Sequence, residues 1–131
     1  MSEPDPVVFL YDRCASRDLL TRHRLDMRLA GCRSYADRMR WVLAGPGWID
    51  RGPDALSMQR PELVKMLEAM RATAGKRKVL CLVHSWDRLA TDATHRLVLR
   101  QRIVEVGGWT ATTFGESDWR RARAALAERW S

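Results

Sequence analysis

The feature that most constrains the fold of this chain is an unbroken apolar run, Val79-Leu80-Cys81-Leu82-Val83, which lies between Lys78 and His84. A run of this length without polar alternation is typical of a strand that is buried on both faces, as in the centre of a parallel sheet. Such a sheet needs helices on both of its sides. The run therefore predicts an α/β fold.

Strand and helix signals alternate along the rest of the chain. Strands are predicted at 7–11, 48–50 and 109–114, and helices at about 21–40, 61–75 and 94–106, with a last helix after Ser117. The stretch 51–59 is rich in Gly, Pro, Asp and Ser, which is typical of a loop. Strands separated by helices predict a three-layer α/β fold, in which a mostly parallel sheet is flanked by helices.

Chain length and the first residues limit the class of protein. A chain of 131 residues is long enough for one domain with its own core, so we expect a single domain over 1–131. Within it we expect a flexible start at 1–6 and a short C-terminal helix over 117–131. No apolar stretch approaches the roughly 20 residues that cross a bilayer, and the acidic, proline-containing start does not resemble a signal peptide. We therefore expect a cytoplasmic protein with no membrane partner.

The charge balance favours an anionic partner. The net charge is +7, and all but three of the 23 basic residues are arginine, the better bidentate ligand for phosphate oxygens. Many of these arginines lie on the predicted helix at 21–40, where some simply form its solvated face. The cysteines and histidines lack metal-ligand spacing, and there is no glycine-rich phosphate loop. We expect no metal and no other cofactor.

Charged residues from distant segments are predicted to meet at the carboxyl edge of the sheet. Tyr11 and Arg13 leave the first strand on the same face, because side chains alternate along a strand. Arg60 precedes a predicted helix, and Asp87 and Arg88 follow the apolar run. Open α/β sheets bind ligands at this edge, and arginines can neutralise a phosphodiester without a metal. The alternative is that Asp87 and Arg88 form only an exposed ion pair at the start of a helix.

The order of these fragments resembles the N-terminal catalytic domain of serine recombinases, the resolvase/invertase family. The resemblance covers about residues 7–116 and rests on Tyr11-x-Arg13, Leu25-Asp26, Asp50, Arg60-Pro61-Glu62-Leu63 and Asp87-Arg88-Leu89. It implies a resolvase-like fold and a family chemistry in which a serine attacks a DNA backbone phosphate and forms a phosphoseryl bond without a metal. It also implies that Arg13, Arg60 and Arg88 surround this phosphate. The acid that matches Asp87 is expected to help position or protonate the reacting groups.

The chain departs from the family pattern at the nucleophile. The family serine comes two residues after the first-strand arginine, and Ala15 stands there. A methyl group cannot attack phosphorus. Ser16 follows, but strand alternation directs it away from Arg13 unless the backbone turns. In addition, Thr91 replaces an expected phosphate-binding arginine, and Arg28 replaces an expected glutamine. These departures indicate an abandoned active site.

Three functions are consistent with this sequence. The first is a resolvase-like domain without strand cleavage, which binds DNA phosphate through Arg13, Arg60 and Arg88 or partners another DNA-processing protein, as a homodimer or with another recombinase. The second is an active recombinase with Ser16 as its nucleophile, and the third is an interaction module that does not bind DNA. No helix-turn-helix or zinc-binding pattern follows residue 116, so we expect no separate DNA-binding domain and only non-specific binding.

Overall fold

The computed structural model describes residues 4–130, without the side chains of 128–130. The strands are β1 (Val7–Cys14), β2 (Val42–Leu43), β3 (Trp48–Arg51), β4 (Val79–Val83) and β5 (Gly108–Thr112). The helices are α1 (Leu19–Arg38), α2 (Pro61–Ala74), α3 (Trp86–Leu89), α4 (Ala93–Glu105) and α5 (Trp119–Trp130), with a short 3-10 helix at Gly52–Ala55.

The strands form one sheet in which every strand pair runs parallel. Its order is β2-β1-β4-β5, and β3 pairs with the carboxyl-terminal half of β1. Every residue of β4 is buried, as the apolar run at its position predicts. The predicted mostly parallel sheet with flanking helices is therefore confirmed.

The alternation of side chains along β1 separates the two faces of the sheet. Val7, Phe9 and Tyr11 pack on one face, whereas Val8 and Leu10 pack on the other. The first face is covered by the apolar residues of α2 and α4, namely Leu63, Met66, Met70, Leu99 and Ile103. The second face is covered by α1 and α5, through Cys32, Ala36 and Ala122. This arrangement gives the three layers.

The main difference from the predicted elements is the length of β1. The predicted strand ended at residue 11, but β1 continues to Cys14 because β3 pairs with its last four residues. This pairing keeps Asp12 and Arg13 inside the sheet. The short strand β2 was not predicted, and the predicted loop at 51–59 contains the 3-10 helix.

Some expectations about the chain ends concern residues that the structure does not describe. The predicted flexible start at 1–6 includes residues 1–3, and the predicted helix at 117–131 includes residue 131; these residues lie outside the described range. Helix α5 itself begins at Trp119. In residues 4–130, no helix is both long and apolar enough to cross a membrane.

Candidate functional site

Four buried charged side chains lie at the carboxyl ends of β1 and β3 and just before α2. They are Asp12 and Arg13 of β1, Asp50 of β3, and Arg60. A charge in a protein interior is costly unless it is paired and hydrogen-bonded. The partners of these four groups therefore determine what this part of the molecule can do.

Arg13 connects β1 to two loops at the edge of the sheet. Its Nη1 donates to the carbonyl oxygen of Ala55 at 3.0 Å, and its Nη2 donates to the carbonyl oxygen of Asp87 at 2.7 Å. Nη2 also donates to Oγ1 of Thr91, the residue that replaces the expected arginine. Both ends of the guanidinium fork are thus occupied by acceptors of the chain itself.

Arg60 makes a second set of contacts to main-chain carbonyls. Its Nε donates to the carbonyl oxygen of Ser57 at 2.7 Å, and its Nη1 donates to Tyr11 Oη at 3.2 Å and to the carbonyl oxygen of Leu89. Arg60 has a φ of 39°, in the left-handed region that few residues other than glycine adopt. Its buried contacts hold the backbone in this conformation.

The carboxylate of Asp50 lies at the N-terminus of α2, the helix that Arg60 immediately precedes. Its Oδ1 accepts from Glu62 N at 2.8 Å, and its Oδ2 accepts from Leu63 N at 3.1 Å and from Tyr11 Oη at 2.8 Å. A carboxylate is favourable there because it satisfies free N–H groups and interacts with the helix dipole. Burial raises the pKa of Tyr11, so its hydroxyl stays protonated and donates to Asp50.

Asp12 joins two arginines on the opposite face of β1. It accepts from Arg28 Nε at 2.7 Å and Nη2 at 3.1 Å, and from Arg88 Nε at 3.0 Å. The backbone N–H of Arg13 donates to it as well, at 2.7 Å. Burial lowers the pKa of Arg28, but the hydrogen bond and charge of Asp12 outweigh this effect and raise it overall. Asp12 is not among the predicted site residues, although a carboxylate inside a buried strand indicates a basic partner.

The structure brings the three predicted arginines together. Burial lowers the pKa of Arg13, and the nearby positive charges of Arg60 and Arg88 lower it further. Arg88 lies on α3 and donates through Nη2 to the carbonyl oxygen of Arg13. Its ion-pair partner is Asp12 and not Asp87, its neighbour in the sequence. The guanidinium groups of Arg13, Arg60 and Arg88 therefore converge, but each already donates hydrogen bonds to acceptors within the chain.

Asp87 is exposed at the start of α3. The hydroxyl of Ser85 donates to its carboxylate, and this hydrogen bond is the largest cause of a lowered pKa. The charges of Arg88 and Arg13 act in the same direction. A carboxyl group with a lowered pKa is ionised near neutral pH, so it accepts a proton less readily than an ordinary aspartate. Asp87 is thus suited to orienting a positive group.

Ala15 and Ser16 are exposed where the chain leaves β1. The hydroxyl of Ser16 donates to the carboxylate of Asp18, the residue that caps α1. Within residues 4–127, no hydrogen bond joins Ser16 to Arg60 or Arg88. Ser16 therefore belongs to the turn that starts α1.

Changing Ser16 to alanine is expected to raise the pKa of Asp18 from about 2 toward its ordinary value, because the Ser16 hydrogen bond is the largest cause of its depression. Bonds from Thr21 should keep it somewhat low. The depressed pKa means that the stability due to ionised Asp18 is complete above pH ~4 and is lost as the pH falls toward 2. NMR titration of the carboxyl carbons measures the shift, with Ser34→Ala as the control. An unchanged Asp18 pKa in Ser16→Ala would show that the Ser16 hydroxyl does not donate to the Asp18 carboxylate.

Comparisons with known proteins agree with this architecture. A family profile described as "Resolvase, N terminal domain" matches residues 8–108. Among solved structures, the N-terminal catalytic domain of TP901-1 integrase is similar with a TM-score of 0.68 and 16% identity, over 94% of this chain and 93% of that one. A resolvase family site-specific recombinase from Streptococcus pneumoniae has a TM-score of 0.72 and 18% identity, over 95% and 86% of the two chains. No curated protein matches the sequence.

Proposed function

The chain belongs to the resolvase N-terminal domain family, and from that premise we propose that this serine recombinase domain binds DNA without cutting it. The observation that carries the proposal is Ala15, which stands where the family resemblance places the serine nucleophile. Attack on phosphorus needs an oxygen at that point. The adjacent hydroxyl, on Ser16, is bonded to Asp18 instead.

The contacts of the arginines support the same proposal. Stabilising a reacting phosphoryl group requires donors that are directed at the phosphate and free to receive its charge. Here Arg13 and Arg60 donate to main-chain carbonyls, and Arg28 shares Asp12 with Arg88. We infer that this cluster now holds the loops of the former active site together. Its most accessible predicted member is Arg88, whose side chain is 24% exposed.

The proposed binding partner is the DNA backbone, contacted without sequence readout. A net charge of +7 attracts phosphates through a salt-dependent, sequence-independent term. The family resemblance also favours pairing with a second chain, either a copy of this protein or an active recombinase. In a mixed complex, the active recombinase would supply the serine that this chain lacks.

The chain is expected to shift the mobility of a supercoiled plasmid on a native gel while leaving the plasmid covalently intact. After denaturation with detergent, no nicked or linear DNA and no protein–DNA adduct should appear. A denaturing gel of the quenched reaction measures both products.

The two alternatives give different results in the same assay. An adduct that disappears in Ser16→Ala but persists in the matched hydroxyl variant Ser34→Ala would establish Ser16 as a nucleophile and refute the proposal. No shift at any protein concentration, with the plasmid intact, would instead indicate an interaction module that does not bind DNA.

A further inference from the structure

A cavity lined in part by charged side chains lies beside the abandoned nucleophile position, on the α1 side of the sheet. Its volume is about 360 Å³, and it is lined by Cys14, Ser16, Arg17, Arg22, Leu25, Asp26 and Arg51. Ala15 lies in the chain between two of these lining residues, Cys14 and Ser16. The cavity therefore lies at the carboxyl edge of the parallel sheet, where folds of this class bind ligands.

Three chain segments place the arginines around this cavity. Arg51 ends β3 and lies opposite Cys14 in the β1–β3 register. Arg17 belongs to the turn after β1, and Arg22 lies in the first turns of α1, on the helix face that carries Leu25 and Asp26 three and four residues later. The site is thus assembled by the fold and not by one stretch of sequence.

The cavity arginines differ from the buried cluster in their bonding. Within residues 4–127, the guanidinium groups of Arg17, Arg22 and Arg51 have no hydrogen-bond or ion-pair partner, and all three residues are exposed. Arg13 and Arg60 are instead buried and bonded to carbonyl oxygens of the chain. Unpaired guanidiniums around one concave surface repel one another, and an anion that accepts from them relieves this repulsion.

We propose that the cavity formed by Arg17, Arg22 and Arg51 binds a phosphodiester group of the DNA backbone. This inference rests on the proposed function and specifies the site through which it operates. Arginine suits this ligand because its planar fork matches two phosphate oxygens. The single carboxylate of the wall, on Asp26, leaves an excess of positive charge. DNA contact is thereby assigned to the outer rim of the former active site and away from the buried cluster.

The test compares two triple variants that remove the same charge. Arg17→Gln/Arg22→Gln/Arg51→Gln removes the cavity guanidiniums. The control, Arg71→Gln/Arg102→Gln/Arg120→Gln, removes exposed arginines from α2, α4 and α5. Fluorescence anisotropy with a labelled 25-base-pair duplex, at several potassium chloride concentrations, gives the affinity and its salt dependence, and circular dichroism verifies folding.

The cavity variant is expected to bind about tenfold more weakly at low salt, and its slope of log affinity against log salt should be shallower by about one, as for one lost phosphate contact. The control should lose less than about threefold in affinity and keep its slope. Equal losses in both variants, or wild-type binding by the cavity variant, would overturn the site but leave DNA binding in place. A wild-type chain that does not bind the duplex would overturn the proposed function together with the site.

Discussion

Replacing Asp12 by alanine is expected to lower the free energy of unfolding by about 3–5 kcal/mol. The carboxylate is buried and is the shared acceptor for Arg28 and Arg88, whose side chains are only 17% and 24% exposed. Without it, two mostly buried guanidiniums lose their ion-pair partner, and the backbone N–H of Arg13 loses its acceptor. Urea unfolding followed by circular dichroism measures the loss.

The matched control for this experiment is Asp26→Ala, which removes an exposed carboxylate from α1 and should change stability by less than about 0.5 kcal/mol. A further variant tests the physical reason. If unpaired guanidiniums cause the loss, then Asp12→Ala combined with Arg28→Ala and Arg88→Ala should cost less than the sum of the three single changes. A strictly additive result, or a loss below about 1 kcal/mol for Asp12→Ala, would show that the three groups are not coupled.

The layers of the fold are predictable because they follow from hydrophobic periodicity. The run 79–83 marks a strand covered on both faces, and β4 is buried at every position. The inward residues Leu63 and Met66 recur at helical spacing, and they define the buried face of α2. Such patterns need no knowledge of the neighbouring elements. The sheet and its flanking helices could therefore be read from the sequence.

The end of β1 could not be predicted in the same way. Asp12 and Arg13 are poor strand residues by composition, and they stay in the sheet because β3 pairs beside them. In addition, arginines pair with Asp12, and oxygen atoms of the loops accept hydrogen bonds from Arg13. Those partners come from segments 16 to 78 positions away. Contacts with distant segments thus outweigh the low strand propensity of these two residues. Such contacts cannot be read from the sequence around residues 12 and 13.

The proximity of three predicted arginines could be inferred from the sequence, but their bonding could not. Parallel topology alone implies that Arg13, Arg60 and Arg88 lie near the same edge, and the structure places them together. Their acceptors are mainly backbone carbonyls, such as those of Ala55 and Leu89, whose direction depends on how each loop turns. Loop geometry leaves little trace in residue identity, so the acceptors of these arginines emerged only from the structure.

Asp50→Ala is expected to cost about 3 kcal/mol or more of unfolding free energy. The carboxylate accepts three hydrogen bonds in a buried position, two from the first turn of α2 and one from Tyr11. Its removal leaves the N–H groups of Glu62 and Leu63 without a cap and the Tyr11 hydroxyl without an acceptor. Each unsatisfied buried donor costs roughly 1–3 kcal/mol, and the lost helix cap alone costs about 1 kcal/mol.

Two further variants separate the cap from the tyrosine contact, again by urea unfolding. Tyr11→Phe removes the hydrogen bond to Asp50 and the one accepted from Arg60 Nη1, which keeps the carbonyl oxygen of Leu89 as an acceptor. Because Asp50 still caps α2, this variant should cost only about 1–2 kcal/mol. Asp54→Ala removes an exposed carboxylate from the adjacent 3-10 helix and should have almost no effect. The expected order is Asp50→Ala, then Tyr11→Phe, then Asp54→Ala. Equal losses for Asp50→Ala and Tyr11→Phe would mean that the cap adds nothing, and that α2 is held by its apolar face alone.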